Sequence, residues 1–169
     1  ASRILVGTGP VRPAGNVPVR SSATDVHRRS TTARTRYAFL TLPDYSMIAL
    51  VNAIEPLRMA NRVSGQSAYE WLVVSPDGEP VTASNGLMMT PTTRLGDAPD
   101  VDLVFICGGI NVREAVSPAL VTLLRRLAAR RMPLGALCTG GYALAQAGLL
   151  DGHHATIHWE NRSALREQF

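Results

Sequence analysis

The sequence predicts an α/β fold built on a doubly wound, mostly parallel sheet, and three observations carry that prediction. Short apolar runs of strand length alternate with stretches whose apolar residues recur at helical spacing, the pattern of strand-helix-strand units. The run Asp102-Leu103-Val104-Phe105-Ile106-Cys107 is apolar without alternation, as in a strand covered by helices on both faces. The apolar run ending at Leu137-Cys138 passes straight into the small residues Thr139-Gly140-Gly141, a strand-to-helix junction with no loop between.

The elements follow in order. Tyr37-Ala38-Phe39-Leu40-Thr41-Leu42, closed by Pro43-Asp44, predicts the first strand. Ser46 then caps a helix to about residue 62, in which Met47, Leu50, Val51, Ile54 and Leu57 share one apolar face. Pro56 falls inside it and predicts a kink, because proline removes a hydrogen bond and crowds the carbonyl four residues back. Residues 69–75 form the next strand and Pro76-Asp77-Gly78 a turn. Asn85-Gly86 between 81–84 and 87–90 predicts a hairpin standing outside the main sheet. After the strand at 102–107, Ser117-Pro118 opens a helix striped by Leu120, Leu123, Leu124, Leu127 and Ala128. Arg125, Arg126, Arg130 and Arg131 gather towards its end, where cations oppose the negative end of the helix dipole. Pro133 stops it. A strand at 134–137, a helix at 139–148, a strand at 155–157 and an amphipathic stretch at 159–169 complete the expectation.

Composition restricts the setting. With 169 residues, 46% hydrophobic and 18% charged, the chain describes a globular domain able to bury a substantial core. The formal charge of +4 is unevenly spread. Residues 1–36 carry seven arginines against Asp25, a net +6, and residues 37–169 a net −2. The first 36 residues, rich in Ser, Thr, Gly and Pro, read as a basic disordered leader rather than a transit segment or a binding arm. No apolar run approaches the ~20 residues of a membrane helix, so no membrane partner is expected and the chain is placed in the cytoplasm, with Cys107 and Cys138 as reduced thiols.

The chemistry concentrates at Cys138. Small residues at −2 (Ala136) and +2 (Gly140) give the layout of a nucleophile elbow, where a tight strand-to-helix turn leaves no room beside the central side chain. Helix N–H groups and the dipole would there lower a thiol pKa and hold anions or carbonyl oxygens. A neighbouring parallel strand ending at Gly108-Gly109 could add further N–H groups at the carboxyl edge of the sheet, where open α/β sheets bind ligands. His158 lies at a predicted strand end and can reach the same edge as a base. His154 and His158 are four apart, but a strand between them and the lack of a third ligand argue against a metal; no metal or cofactor is expected. The expected ligand-binding set is Gly108, Gly109, Cys138, Thr139 and His158.

Residues 134–141, Leu144-Ala145-Gln146-Ala147-Gly148-Leu149-Leu150-Asp151-Gly152 and Ala155-Thr156-Ile157-His158-Trp159 resemble the class I glutamine amidotransferase-like, flavodoxin-like fold of the ThiJ/PfpI family. More narrowly they are similar to the ligand-sensing amino-terminal domain of AraC-type transcriptional regulators, and Asn52-Ala53-Ile54-Glu55-Pro56-Leu57-Arg58-Met59-Ala60-Asn61 is similar to the first-helix signature of those that respond to arginine, carnitine or glycine betaine. The resemblance covers 37–169 and implies a homodimeric sensor of a small-molecule effector, an amino acid or quaternary amine, that does not catalyse. For a cationic metabolite, Glu55, Tyr45, Tyr142 and Trp159 are the available acid and aromatic faces. In the enzymatic members a first-helix carboxylate bonds the elbow cysteine; a gapless alignment puts Ala49 there, and Thr139 replaces the histidine of the protease-like members. The alternative is a cysteine hydrolase or glyoxalase-like enzyme with Cys138 as nucleophile and His158 as base. In the regulators the sensor continues with further strands and a pair of helix-turn-helix motifs, so this chain is expected to be a fragment or truncated product whose DNA contact is made only through a missing C-terminal domain.

Overall fold

A computed structural model describes residues 4–6 and 34–169. Six strands form one sheet: β1 (Ile4–Val6), β2 (Thr35–Thr41), β3 (Tyr69–Ser75), β6 (Thr93–Arg94), β7 (Leu103–Cys107) and β8 (Leu134–Leu137). The order is β1-β8-β7-β2-β3-β6 and every neighbouring pair is parallel. The chain winds outward from β2 through β3 to β6, then returns to β2's other side with β7 and β8. Ligands of open α/β sheets sit where that order reverses, here between the carboxyl ends of β2 and β7. The remaining strands, β4 (Val81–Thr82) and β5 (Met88–Met89), form the separate antiparallel hairpin predicted from Asn85-Gly86, with Gly86 at φ 83°.

The two faces of the sheet follow from strand alternation. Ala38, Leu40, Val104 and Ile106 pack with Leu120 and Leu124 of α3 (Pro118–Ala129) and with Ala143 and Leu144 of α4 (Gly141–Gln146). Phe39, Phe105 and Cys107 pack on the other face with Leu50, Ile54 and Leu57 of α1 (Met47–Ser64). Phe39 and Phe105, register partners, stack at 5.5 Å. Ser46 caps α1 by accepting from the Ala49 N–H at 3.4 Å, and Ser117 caps α3 by accepting from Leu120 N–H at 3.2 Å. Asn61 clips the end of α1 to β3, donating to the Tyr69 carbonyl at 2.7 Å and accepting from its N–H at 3.0 Å. Among the described residues no helix is long and apolar enough to cross a membrane.

Several expectations need correction. The basic leader does not end at residue 36: β2 begins at Thr35, and Arg36 is held there by Glu70, at 3.0 Å, and by the Asp100 carbonyl, also at 3.0 Å. Ile4–Val6, also assigned to the leader, lies as an edge strand on β8; the rest of the predicted disordered leader, 7–33, falls outside the described residues. α1, with Pro56 inside it, runs on to Ser64, slightly past the predicted end near residue 62. Val51 is not part of its buried face, which narrows to Leu50 with Met47, Ala53, Ile54 and Leu57 half-buried against the core. The predicted strand at 155–157 is coil and pairs with no strand; β1 is the segment that lies beside β8. The predicted 139–148 helix is a 3-10 turn, Cys138–Gly140, followed by the short α4. A short α2 (Val112–Ala115) and β6 went unpredicted; both are too brief to leave a periodic signal. Arg125 donates to the Ala147 carbonyl at 2.9 Å, tying α3 to the end of α4, while Arg126, Arg130 and Arg131 are exposed.

These packing assignments predict that Leu124→Ala, at a fully buried position, lowers unfolding free energy by about 2–5 kcal/mol. Val63→Ala, at an 81% exposed position of α1, should change it by less than about 0.5 kcal/mol. Urea denaturation of both variants checks the pair.

Candidate functional site

Three parallel strands end side by side, and their following residues build one corner. After β2 the chain turns at Asp44, and the Ser46 N–H donates to the Gly108 carbonyl at 3.0 Å. After β7 come Gly108 and Gly109, and after β8 the chain turns at Cys138. Of the four non-glycine residues with positive φ among the described residues, three lie here: Asp44 (59°), Asn111 (55°) and Cys138 (55°). Asn111 and Asp44 are joined side chain to side chain at 3.0 Å. A left-handed conformation at a residue such as cysteine costs of order 1–3 kcal/mol and persists only where surrounding structure imposes it.

That imposition is visible at the glycines. A Cβ on Gly140 would collide with the Ile106 carbonyl, and one on Gly109 with the Asp44 carbonyl; each position admits only glycine because backbone crosses backbone there. The buried Thr139 hydroxyl donates to the Gly109 carbonyl at 2.6 Å, locking the elbow to the end of β7. The tight turn inferred from Ala136 and Gly140 is therefore present.

The cavity over this corner measures about 190 Å³. Gly109, Cys138, Thr139 and His158 line it, as do Ser46, Ser84, Ile110, Glu160 and Asn161. Gly108 lies below it with both backbone groups committed: its N–H donates to the Leu137 carbonyl at 3.3 Å and its carbonyl accepts from Ser46. Of the acid and aromatic residues considered for a cation, none of Glu55, Tyr45, Tyr142 and Trp159 lines this cavity. Glu55 pairs with Arg58 on α1 at 2.6 Å, Tyr45 is fully buried, and Tyr142 packs edge-on against Phe169. The 52–61 signature is thus occupied with structural work, the Asn61 clip and the Glu55 ion pair. The acid at the cavity is Glu160, with Oε2 3.5 Å from His158 Nδ1. The sequence marks Ser46 as a helix cap and gives no signal for Glu160; only the tertiary fold brings both to the cavity beside Cys138.

Burial works against activation of the thiol. Burial pushes the Cys138 pKa above its ordinary range; hydrogen bonds from the Thr139 N–H and the Ser46 hydroxyl oppose this without prevailing, and the Glu160 carboxylate adds to the rise. The expectation of a lowered thiol pKa at a helix start is overturned, since the elbow opens a 3-10 turn and a six-residue helix and the sulfur is half-buried. Burial likewise pushes the Cys107 thiol up. The His158 N–H reaches the Cys138 carbonyl at 3.4 Å, which ties the 158–161 segment to the elbow through the main chain.

A parallel six-stranded sheet with a strained cysteine elbow at its carboxyl edge defines a class, and the family comparison agrees: residues 38–168 match the DJ-1/PfpI family, to which this chain belongs. Within that family its relatives include regulators. It is 47% identical over 131 residues to the HTH-type transcriptional regulator GbdR of Pseudomonas aeruginosa, covering 78% of this chain and 36% of that one, so it spans about a third of the curated regulator's length. The crystal structure of an AraC family transcriptional regulator from Pseudomonas putida superposes with a TM-score of 0.70 at 33% identity, covering 79% of this chain and 72% of that one. The isonitrile hydratase of Pseudomonas putida is 32% identical over 128 residues, 75% of this chain and 54% of the enzyme. One family therefore holds both regulators and an enzyme.

A raised thiol pKa leaves Cys138 protonated at neutral pH, so alkylation by iodoacetamide should be slow there and accelerate about tenfold per pH unit until the thiolate dominates. Ser46→Ala removes a hydrogen bond to the thiolate, raising the pKa further and slowing labelling; Glu160→Gln removes a like charge and speeds it. A pH–rate profile followed by intact mass checks both signs.

Proposed function

We propose that this chain is the sensing domain of an AraC-type transcriptional regulator, binding a small metabolite, an amino acid or quaternary amine, in the Cys138 cavity without catalysis. The observation that carries the reading is the make-up of the elbow cavity: the side chain that the end of β2 and start of α1 bring beside Cys138 is a hydroxyl, Ser46, and not a carboxylate that could pair with the sulfur, and burial pushes the thiol up. The cavity is small, and hydroxyls of Ser46, Ser84 and Thr139 stand around it with, among the described residues, one carboxylate, Glu160. Among the described residues no arginine lines it, which favours a ligand carrying positive charge over a simple anion. In this reading the regulator acts as a homodimer, and DNA is contacted by helix-turn-helix motifs outside these residues. The similarity to GbdR supports the regulatory role.

Calorimetric titration with glycine betaine, carnitine and arginine tests the reading. At least one should bind, and Cys138→Ser should keep its affinity within about threefold, under ~1 kcal/mol, because the sulfur forms no bond to the ligand. Silence towards all three together with Cys138-dependent turnover of an amide or glyoxal-type carbonyl would overturn it in favour of a cysteine hydrolase or glyoxalase-like enzyme. With residues 1–169 alone, a gel shift at physiological salt should show only weak, salt-sensitive DNA binding from the arginines of 1–36.

A further inference from the structure

The elbow cavity has two unlike walls. One is rigid: Ser46, Gly109, Cys138 and Thr139 stand on the ends of β2, β7 and β8 and are cross-tied by the Ser46–Gly108 and Thr139–Gly109 hydrogen bonds of 3.0 and 2.6 Å. The other, His158, Glu160 and Asn161, stands on the 3-10 turn Trp159–Asn161. α5 (Arg162–Gln168) starts at the next residue.

This second wall is lightly held. Residues 154–157 are coil and belong to no sheet, and among the described residues the one backbone bond that ties 154–161 to the sheet side of the cavity is His158 N–H to the Cys138 carbonyl at 3.4 Å; Asn161 N–H to the His158 carbonyl at 3.0 Å and Arg162 N–H to the Trp159 carbonyl stay within the turn. Trp159 is 75% exposed. Segments with few buried contacts and few backbone bonds open at low free energy. The far end of the same segment returns to the elbow: the Tyr142 hydroxyl donates to Gln168 Oε1 at 3.2 Å, and the Tyr142 and Phe169 rings meet edge-on at 5.8 Å. Tyr142 is the second residue of α4, four beyond Cys138. The two ends of 158–169 therefore meet the elbow turn and the start of the helix that follows it, and Glu160 is, among the described residues, the one permanently charged side chain facing the cavity.

We infer that residues 158–169 transmit occupancy of the cavity: the charge of a small ammonium-bearing metabolite draws Glu160 and its turn onto the elbow, and α5 tightens onto α4 in consequence. The inference rests on the sensing reading of this cavity and adds how the signal leaves it. The force is Coulombic, an ammonium beside a carboxylate whose side chain is 60% exposed, so it acts at contact range and weakens with added salt. The response is bounded by the ligand's preference for the closed over the open arrangement of the segment. A neutral ligand of equal shape fills the space without that preference.

The test delivers the charge covalently. On the full chain, Cys138 is labelled with 2-(trimethylammonium)ethyl methanethiosulfonate, the thiolate sulfur forming a disulfide and expelling methanesulfinate, or with the neutral 3,3-dimethylbutyl counterpart of the same shape. Labelling is run at alkaline pH to completion by intact mass, with Cys138→Ser as the control for Cys107. Amide exchange in peptides covering 159–169 is then measured by mass spectrometry. The cationic label should slow that exchange by about tenfold and the neutral one by less than about twofold, a difference that disappears in Glu160→Gln. Equal effects of the two labels, a cationic effect undiminished in Glu160→Gln, or a folded protein whose Cys138 accepts neither label would each overturn the inference. Titration with free glycine betaine, carnitine and arginine reports separately on sensing: silence there with a charge-dependent label effect removes the function and leaves the coupling, and the converse result removes only the coupling.

Discussion

Everything at the site depends on the crossing of two backbones, the Gly108-Gly109 end of β7 against the Thr139-Gly140 turn after β8. Gly140 lies against the Ile106 carbonyl where no Cβ fits, and the Thr139 hydroxyl closes onto Gly109 at 2.6 Å. With the turn pinned at both residues after it, Cys138 is left no choice but a left-handed conformation, and its side chain stands up from the sheet instead of lying in the core. The strain at Cys138, and that at Asp44 and Asn111 beside it, is stored where three strands end and is compensated by the parallel core beneath.

The same crossing decides what chemistry the corner favours. Because the elbow is compact, its sulfur is half-buried and its neighbours are a hydroxyl, a backbone N–H and a carboxylate, and burial outweighs the two groups that would favour the thiolate. A fold that in other hands supports hydration of an isonitrile is here combined with a neutral thiol. This is the ordinary separation of fold from function: the sheet and elbow are shared across the family, and the few side chains over the elbow set the role. Ser46 has two places in this arrangement, capping α1 through Ala49 N–H and lining the cavity beside the sulfur, where it works against the effect of burial.

The lightly held segment that carries His158 and Glu160 belongs to the same design. The rigid wall is made by the sheet, so any response to a ligand falls to the opposite wall, which has no strand partner. α5 is anchored through Tyr142, whose position on α4 is fixed by the elbow itself.

The sequence by itself determined the parallel sheet and most of its elements, because burial on both faces leaves unbroken apolar runs at 37–42 and 102–107 and because Ser46, Ser117 and Asn85-Gly86 are local signals read within a few residues. It also determined the elbow, since Ala136, Cys138 and Gly140 are adjacent. What only the tertiary structure decided is which distant residues meet. The 155–157 run has strand composition but pairs with no strand, Tyr45 and Tyr142 are aromatic but packed elsewhere, and Glu160 reaches the cavity through a turn that no periodicity marks. The direction of the Cys138 shift was likewise invisible beforehand: a thiol pKa is a balance of burial against hydrogen bonds from Ser46 and Thr139, and burial is a property of the packed molecule, not of a residue and its neighbours in sequence.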